Sequence, residues 1–597
     1  MANIIGEIEY RHGKIKAELV GPSFLTDALR TYELVLNTRC GGRGTCGGCA
    51  VDLHAGTYRH SDGQEFTVEP NYPVRVLACK TQIVAGPFRI SIPRRSLVET
   101  GERVVADFVT KEHTRFEPTV DAKSIDEMEH KLITDSPTDE KTIVRWNNEE
   151  QTWQITANTI DKKEKYYGLA VDIGTTTVAM SLIDMTNGII VDTASCYNQQ
   201  VQMGDNVISR IIAAGRNEVL QKLQQLIIHQ TINPLIHTLC RQNKIKSTSI
   251  FRMAVSCNTV MWHLLLGIDP SPLGVAPFKL ANRKPKSREA RDLGIDIVPQ
   301  ALIDIVPSIS AYVGGDIVSD IESSHMMRDN ALSLLIDIGT NGEIAIRDGE
   351  KMLVTACAAG PAFEGLRISH GMRASTGAIE RITMNDRGEC KFETIGNAKP
   401  VGICGSGLID FLAEGFRHGL IAANGRFDRS QLEKNPRLRL VENNGRGVEY
   451  IVADRGKTED AAGDITVSEK DIETIVQAKG ALFAAIRILL KRLDRKIGDI
   501  GKVYLAGGFA KYIDIRNAVT IGLLPEIDLP RYVIIGNGSL AGAHLGLIDR
   551  NIWSSFDKII DEPQVVELNL DPDFQDEFTF AMFLPNYQEE LFTKKTR

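Results

Sequence analysis

Tyr167-Gly168-Leu169-Ala170-Val171-Asp172-Ile173-Gly174-Thr175-Thr176-Thr177-Val178-Ala179-Met180 reads as an apolar strand, a tight turn and a returning strand. An aspartate closes the first strand, glycine lets the backbone approach a ligand closely, and Thr175 and Thr176 present donors. The pattern returns at Leu332-Ser333-Leu334-Leu335-Ile336-Asp337-Ile338-Gly339-Thr340-Asn341-Gly342-Glu343-Ile344-Ala345-Ile346. Such a turn can hold phosphates through its amides while the carboxylate positions a hydrated Mg²⁺. One Asp-x-Gly-Thr is weak evidence, because tight hairpins use the same residues. Two copies, each opening its own α/β segment, make an internal duplication the better reading. The sequence contains no Walker A pattern, Gly-x4-Gly-Lys-Ser/Thr.

Working outward, strand and helix signals alternate. The apolar stripe of Val207 to Ile227 predicts a helix, Ile250 to Val255 a strand, and Cys257-Asn258-Thr259 a turn before a helix through Leu266. Ser468-x-x-Asp471 resembles a capping box for a helix over 469–493, with Ile472, Ile475, Val476, Leu482 and Ile486 available for burial. Gly402-Ile403-Cys404-Gly405-Ser406-Gly407 is a flexible turn before another helix, where the Gly405 amide can meet an anion. Val503 to Ala510 reads as a buried strand followed by Gly507-Gly508. After Asp549, Val565 to Leu568 and Phe578 to Phe583 suggest a terminal strand or surface addition, anchored by its aromatics.

Toward the N-terminus stands Cys40-x5-Cys46-x2-Cys49-x29-Cys79, with Gly41, Gly42, Gly44, Gly47 and Gly48 among the first three cysteines. Three thiolates on one short turn and a fourth from a later segment is how a chain wraps a [2Fe–2S] cluster. Four cysteines also bind zinc, although this spacing is unlike two CxxC knuckles. Around the loop, Ile4 to Tyr10 and Lys14 to Val20 alternate across Arg11-His12-Gly13 as a hairpin. Leu25 to Leu34 is helix-like, and Val51 to Leu53, Val74 to Leu77 and Phe88 to Ile92 supply short strands. Beyond Pro93 the pattern is that of a connector. A second small unit follows, with a helix signal at 125–133 and a strand at 152–155.

A chain of 597 residues exceeds one hydrophobic core and should divide into about three or four domains. Hydrophobic content of 43% is ordinary for a globular chain, and a net charge of -8 disfavours a general nucleic-acid binder. No run is long enough for a membrane span, and the start lacks the pattern of a signal peptide. Six of the ten cysteines are scattered without paired spacing, so a reducing cytoplasm fits better than a disulfide scaffold.

The cysteine loop and Leu77-Ala78-Cys79-Lys80-Thr81 resemble the ferredoxin family. The first gap of five residues is similar to adrenodoxin-like members, whereas the gap of 29 is plant-like. Asp172 to Thr176 and Asp337 to Asn341 resemble the two phosphate motifs of the actin, sugar kinase and Hsp70 superfamily, and Val503 to Ala510 its adenosine motif. The implied fold is a multidomain α+β and α/β chain: a ferredoxin-like β-grasp head followed by duplicated actin/sugar kinase/Hsp70-like ATPase domains. The expected division is a [2Fe–2S] domain at 1–94, a linker at 95–115 and a small middle domain at 116–163. ATPase-like α/β domains follow at 164–330 and 331–549, with a C-terminal extension at 550–597.

That combination resembles the ATP-dependent reductive activators of corrinoid enzymes. Further matches are Gly204-Asp205-Asn206-Val207-Ile208-Ser209-Arg210, Asn258 to Met261, Leu264 to Phe278, Ala311 to Asp316 and Gly402 to Gly407. Cys257 stands where the family pattern leads us to expect glycine. The resemblance implies iron coordination by Cys40, Cys46, Cys49 and Cys79. Asp172 and Asp337 would organise Mg²⁺ and water, with Asp316 in the cleft and Glu343 orienting water or supporting its hairpin. Gly174, Thr175, Thr176, Gly339, Thr340 and Asn341 would meet the phosphates of ATP, and Gly507 and Gly508 its nucleoside.

The implied activity is ATP-hydrolysing transfer of one electron from the [2Fe–2S] cluster to an inactive Co(II) corrinoid protein of a methyltransferase system. The product is the methyl-accepting Co(I) state. An external low-potential electron donor is then required, and a homodimer is compatible with the family. The alternatives are an ATP-dependent activator of another low-potential metalloenzyme and a nucleotide-regulated metallochaperone. Activators of radical-type dehydratases resemble the ATPase body but carry a [4Fe–4S] cluster bridging two subunits, a plan the four-cysteine head argues against.

Overall fold

A computed structural model describes the chain except for residues 1, 11–12, 33, 35, 37–43, 45–47, 71, 94–95, 98–115, 124–139, 162–163, 205, 340, 366, 442–446, 460–462, 509 and 587–597. The helix read at 125–133 lies outside the described residues, as does the connector at 95–115 apart from Ser96 and Leu97.

Alternation in the first segment produces the expected hairpin, β1 (Ala2–Tyr10) and β2 (Gly13–Gly21). Its register sets Ile4 opposite Leu19 and Ile8 opposite Ile15, and Ile4, Ile8, Ala17 and Leu19 enter the head's core. Helix α1 (Leu25–Arg30) ends before the predicted Leu34, which is nevertheless buried. Strands β3 (Ala50–His60), β4 (Val74–Leu77) and β5 (Thr81–Ser91) join the hairpin and two short strands in one sheet. β5 runs parallel to β1 and antiparallel to β3, which gives the mixed β-grasp arrangement.

A three-stranded antiparallel sheet of residues 120–123, 140–147 and 152–161 comes next. It is fastened to the body by Arg252, which has no exposed surface. Its guanidinium donates to the carbonyls of Thr119 (2.9 Å) and Trp146 (2.6 Å), and its charge is met by Asp304 at 2.6 Å.

The body contains two sheets of one design. In the first lobe, β6 (Tyr167–Ile173), β7 (Thr177–Asp184) and β8 (Ile189–Tyr197) form an antiparallel meander. β9 (Ile250–Cys257) and β10 (Leu302–Ile305) add in parallel on the other side of β6. The second lobe repeats this with β11 (Ser333–Ile338), β12 (Gly342–Asp348), β13 (Lys351–Cys357), β14 (Lys502–Ala506) and β15 (Tyr532–Gly536). The orders β8-β7-β6-β9-β10 and β13-β12-β11-β14-β15 correspond strand for strand, so the duplication extends beyond the two hairpins. All eight residues of β9 are buried, as a central parallel strand covered on both faces requires.

The helical stripe at 207–227 proves to be two helices, α2 (Val207–Ala214) and α3 (Asn217–Ile227). The chain breaks at Gly215, and Asn206 with Ser209 forms a capping box at the start of α2. α4 (Thr259–Leu266) follows β9, α5 (Gly315–Ser323) follows β10, and α6 (Gly405–Arg417) and α7 (Glu469–Arg492) belong to the second lobe. α7 starts at the expected Ser468–Asp471 box, and its five named apolar residues are buried. α8 (Gly538–Ile548) leaves β15 and returns to the first lobe's core, crossing α5. Gly542 makes that crossing close: a Cβ there would sit 2.2 Å from the Cβ of Ser319.

α9 (Ile552–Asp561) also packs in the first core, and residues 564–565 pair with the edge of β13. The strand-like run at Phe578 to Phe583 lies instead largely in a helix, α10 (Phe574–Ala581). Phe574, Phe578 and Ala581 recur at helical spacing against the second core, and the rings of Phe574 and Phe578 stack. Beyond it, the buried Lys479 on α7 donates to the carbonyls of Phe583 and Pro585, tying down the chain's end. Among the described residues no helix is long and apolar enough to cross a membrane.

Candidate functional site

The first phosphate-type turn is held from behind. Asn198 Nδ2 donates to Gly174 O at 3.0 Å, the Arg210 guanidinium to Thr175 O, and the Asn198 amide to Thr176 O at 2.9 Å. Each fixed carbonyl turns the N–H of its trans peptide toward the opposite side. Thr175, Thr176 and Thr177 line a cleft of about 300 Å³ between the lobes. Arg210 is fully buried and also donates to Gly204 O and Gln200 Oε1, both at 3.1 Å. Asn258 caps α4 through the Met261 amide and donates to Thr175 Oγ1 at 3.1 Å. The glycine-to-cysteine departure at Cys257 thus leaves that asparagine in place, with the Cys257 side chain buried behind it.

The second turn faces the first. Gly339 N donates to Asn341 O at 3.1 Å, and the β11–β12 register sets Asp337 directly opposite Glu343. Asn341 also hydrogen-bonds Glu343. Gly507 adopts φ +90°, and a Cβ at this position would sit 2.7 Å from Asp337 Oδ1. Only glycine brings the β14 turn so near the hairpin.

Besides Glu364, which is paired with Arg373, five carboxyl groups line the cleft: Asp172, Asp316, Asp320, Asp337 and Glu343. Asp172 accepts from Ser539 Oγ (2.8 Å) and Asn537 Nδ2 (3.0 Å) at the start of α8. Asp316 and Asp320 are one turn apart on α5, and Asp320 Oδ2 is buried without a hydrogen-bond partner. Burial raises Asp172, its two hydrogen bonds opposing the effect. Burial and the neighbouring Asp172 push Asp316 up to about 7. Burial, then Asp316 and Asp172, push Asp337 up to about 7. Asp320 and Glu343 rise well above the usual carboxylate range, by burial first and by neighbouring carboxylates second. Among the described residues no three of these side chains stand close enough together to hold a metal ion between them. Mg²⁺ commonly takes only one or two carboxylates beside water and phosphate oxygens, and carboxylates of this cleft are of the right chemistry for that.

The predicted residues Asp172, Gly174, Thr175, Thr176, Asp316, Gly339, Asn341, Asp337, Glu343, Gly405, Gly507 and Gly508 all line this one cleft. Thr340 lies outside the described residues. Sequence reasoning missed Asp320, Asn198, Arg210 and Arg373. Asp320 was signalled only by its helical spacing from Asp316, and Arg210 only by its place in the Gly204–Arg210 run.

In the head, Cys49 and Cys79 are buried, while Cys40 and Cys46 lie outside the described residues. Ala50 pairs with Leu77, and the Ala78 amide donates to Cys49 O at 3.0 Å, so both cysteines stand at one end of the β3–β4 pair. Gly44, at φ +80°, packs beneath Lys80: a Cβ would meet that side chain at 2.9 Å. Buried thiols delivered together are soft donors suited to an iron–sulfur cluster.

Three family profiles match the chain. The 2Fe-2S iron-sulfur cluster binding domain covers residues 11–84, the RACo middle region 167–329, and the C-terminal domain of RACo, the ASKHA domain, 331–596. Corrinoid activation enzyme RamQ of Eubacterium limosum is 32% identical over 581 residues, covering 92% of this chain and 94% of its own. A Methanosarcina barkeri protein, [Co(II) methylated amine-specific corrinoid protein] reductase, is 27% identical over 420 residues, or 64% of this chain and 70% of that one. The solved structure of a reductive activator for a corrinoid, iron-sulfur protein superposes with a TM-score of 0.73 at 32% identity, covering 98% of this chain and 99% of that one.

Proposed function

The chain belongs to the RACo family of corrinoid reductive activators, and from that premise we propose that it returns a Co(II) corrinoid protein to Co(I) in an ATP-dependent reaction. Cys40, Cys46, Cys49 and Cys79 would hold a [2Fe–2S] cluster, which, once reduced by an external donor, would supply the one electron that takes Co(II) to Co(I). The observation that carries the reading is the cleft itself: two facing phosphate-type turns and five converging carboxyls, in one chain with a ferredoxin head.

In this reading, the amides at Thr175 to Thr177 and the Gly339–Asn341 turn hold the phosphates of ATP, and the close glycines Gly507 and Gly508 receive its nucleoside. Asp172 and Asp337 would hold Mg²⁺, which would neutralise phosphate charge, and would orient the attacking water. ATP is needed because Co(II) to Co(I) is a strongly unfavourable reduction for a simple ferredoxin. For one electron, each tenfold shift in equilibrium corresponds to about 59 mV. Closing the lobes on nucleotide changes the shape presented to the corrinoid protein, and binding energy released there shifts the acceptor rather than the donor.

The test is anoxic. Reduced protein, Mg-ATP and a panel of Co(II) corrinoid proteins from methyltransferase systems are mixed, and the Co(I) absorption band is followed. The band should grow only with ATP. A preparation that hydrolyses ATP and stays reduced yet yields no Co(I) across the panel would sink the proposal. ATP-dependent partner binding without electron delivery would instead identify a chaperone.

A further inference from the structure

We propose that Arg373 distinguishes ATP from ADP in this cleft, exchanging a strap between the lobes for the terminal phosphate. The inference rests on the nucleotide reading of the cleft and deepens it. Among the described side chains lining the cleft, the acids are Asp172, Asp316, Asp320, Asp337, Glu343 and Glu364, and Arg373 is the one basic group.

Arg373 comes from the second lobe, yet it reaches the first. Its Nη1 donates to Thr177 Oγ1 at 3.2 Å, and its guanidinium lies over the Tyr197 ring, 4.7 Å from the centroid. Its Nη2 donates to Glu364 Oε2 at 2.9 Å. Thr177 opens β7 immediately after the Thr175–Thr176 turn, so the guanidinium stands beside the amides that face the cleft. The chain has no P-loop lysine to neutralise a triphosphate. Mg²⁺ held by carboxylates of the cleft still leaves Mg-ATP one negative charge beyond Mg-ADP. The guanidinium fork is suited to that added phosphate, because it forms paired, charge-assisted hydrogen bonds. Its partners include a carboxylate, a hydroxyl and a ring face, of which the carboxylate is the natural competitor for a phosphate. With ADP the strap stays on Glu364 and Thr177; with ATP it turns to the terminal phosphate. Arg373 is thus a specificity-determining residue, and the lobes sense which nucleotide lies between them.

The experiment is isothermal titration calorimetry on the full chain with Mg²⁺, comparing β,γ-imido-ATP with ADP. The wild type should favour the ATP analogue. Arg373→Ala and Arg373→Gln should each weaken it about 10- to 100-fold, the range expected for one lost charged hydrogen-bond pair, while ADP moves less than about threefold. Arg373→Gln keeps polar contact with Thr177 and decides the matter if the alanine variant does not fold. Equal weakening of both nucleotides would make Arg373 a plain structural strap and overturn the inference, as would an unchanged ratio. A wild type that binds both equally overturns it without any variant. A wild type that binds neither removes the nucleotide reading itself.

Discussion

Among the glycines inside helices of the body, replacing Gly480 or Gly542 by alanine should move stability in opposite directions. Both substitutions gain the same helix propensity, roughly 1 kcal/mol. At Gly480, in α7, the nearest atoms to an added Cβ are Met582 Sδ and Phe578 Cε2, each at 3.4 Å, an ordinary contact. Gly480→Ala should therefore stabilise by up to about 1 kcal/mol. At Gly542, in α8, the added Cβ falls 2.2 Å from Ser319 Cβ, 2.3 Å from its Oγ and 2.7 Å from its Cα. Carbon atoms pack at about 3.5–4.0 Å, so α8 must withdraw from α5 by more than about 1 Å. Backbone cannot rotate away as a side chain can. Overpacking costs typically 1–3 kcal/mol, and this clash lies at the upper end, leaving a net loss of about 2 kcal/mol after the propensity gain. For lobes of this size, each kcal/mol moves the melting midpoint by roughly 2–4 °C. Thermal unfolding followed by circular dichroism, in chelator, should place Gly542→Ala about 4–8 °C below wild type and Gly480→Ala about 2–4 °C above it. Because α5 carries Asp316 and Asp320, Gly542→Ala should also weaken Mg-nucleotide binding. A Gly542→Ala protein that melts at or above Gly480→Ala would refute the close crossing as the reason for glycine there.

Without metal, Asp316 and Asp337 have folded-state values of about 7 against an ordinary 3.8. The folded state therefore binds more protons than the unfolded one between those values. The stability they contribute is full below 3.8 and is lost as pH rises through about 7. In chelator the melting midpoint should fall between pH 5.5 and 8 more steeply in wild type than in Asp316→Asn, and Mg²⁺ should restore it most at pH 8. Equal slopes would mean that burial and its neighbours do not raise Asp316 in the fold. Arg210→Met keeps length but leaves Thr175 O and Gly204 O without their donor, at about 1–3 kcal/mol, and should loosen Mg-ATP binding roughly tenfold. Its cluster absorbance should match wild type; joint loss would show general unfolding. Cys49→Ala should abolish the visible absorbance of the reconstituted cluster yet keep nucleotide affinity within about twofold by calorimetry, since the head has its own core. Loss of nucleotide binding in that variant would argue against independent sites.

Features set by neighbours in the chain were legible. The two Asp-x-Gly-Thr hairpins, the N-terminal hairpin, the strand read at 250–255 and the capping box at Ser468 each depend on a period or spacing within a few residues. The site's own turns came with them, because a phosphate-type turn announces itself in its own sequence. What was hidden depends on residues far apart in the chain. Asn198 and Arg210 matter because folding puts them behind Gly174 to Thr176, and Arg373 because the second lobe swings it onto Thr177. Asp320 looks like any helical aspartate until α5 is laid along the cleft. The aromatic run at 578–583 shows the converse failure. Phe favours strands in isolation, but Phe574 and Phe578 four residues apart have α7 to pack on, and the tertiary surface decides.

The same geometry explains why this cleft should respond strongly to its ligand. Asp172 belongs to the first lobe's opening strand but is held by Asn537 and Ser539 at the start of α8, which issues from the second lobe. Ser539 Oγ also lies 2.9 Å from Ser256 Oγ, and Ser256 in turn 2.9 Å from Ser319 Oγ on α5. Hydrogen bonds therefore run without interruption from the strand bearing one phosphate-type turn, through both crossing helices, to the helix bearing Asp316 and Asp320. Asp172, Asp316, Asp320, Asp337 and Glu343 line this junction, and among the described lining residues Arg373 is the one basic side chain. Burial and their neighbours raise Asp316 and Asp337, so a cation bound among these carboxyls would displace protons and favour the ionised forms on both lobes together. Arg373 stands at the edge of this junction, joining Thr177 of the first lobe to Glu364 of the second.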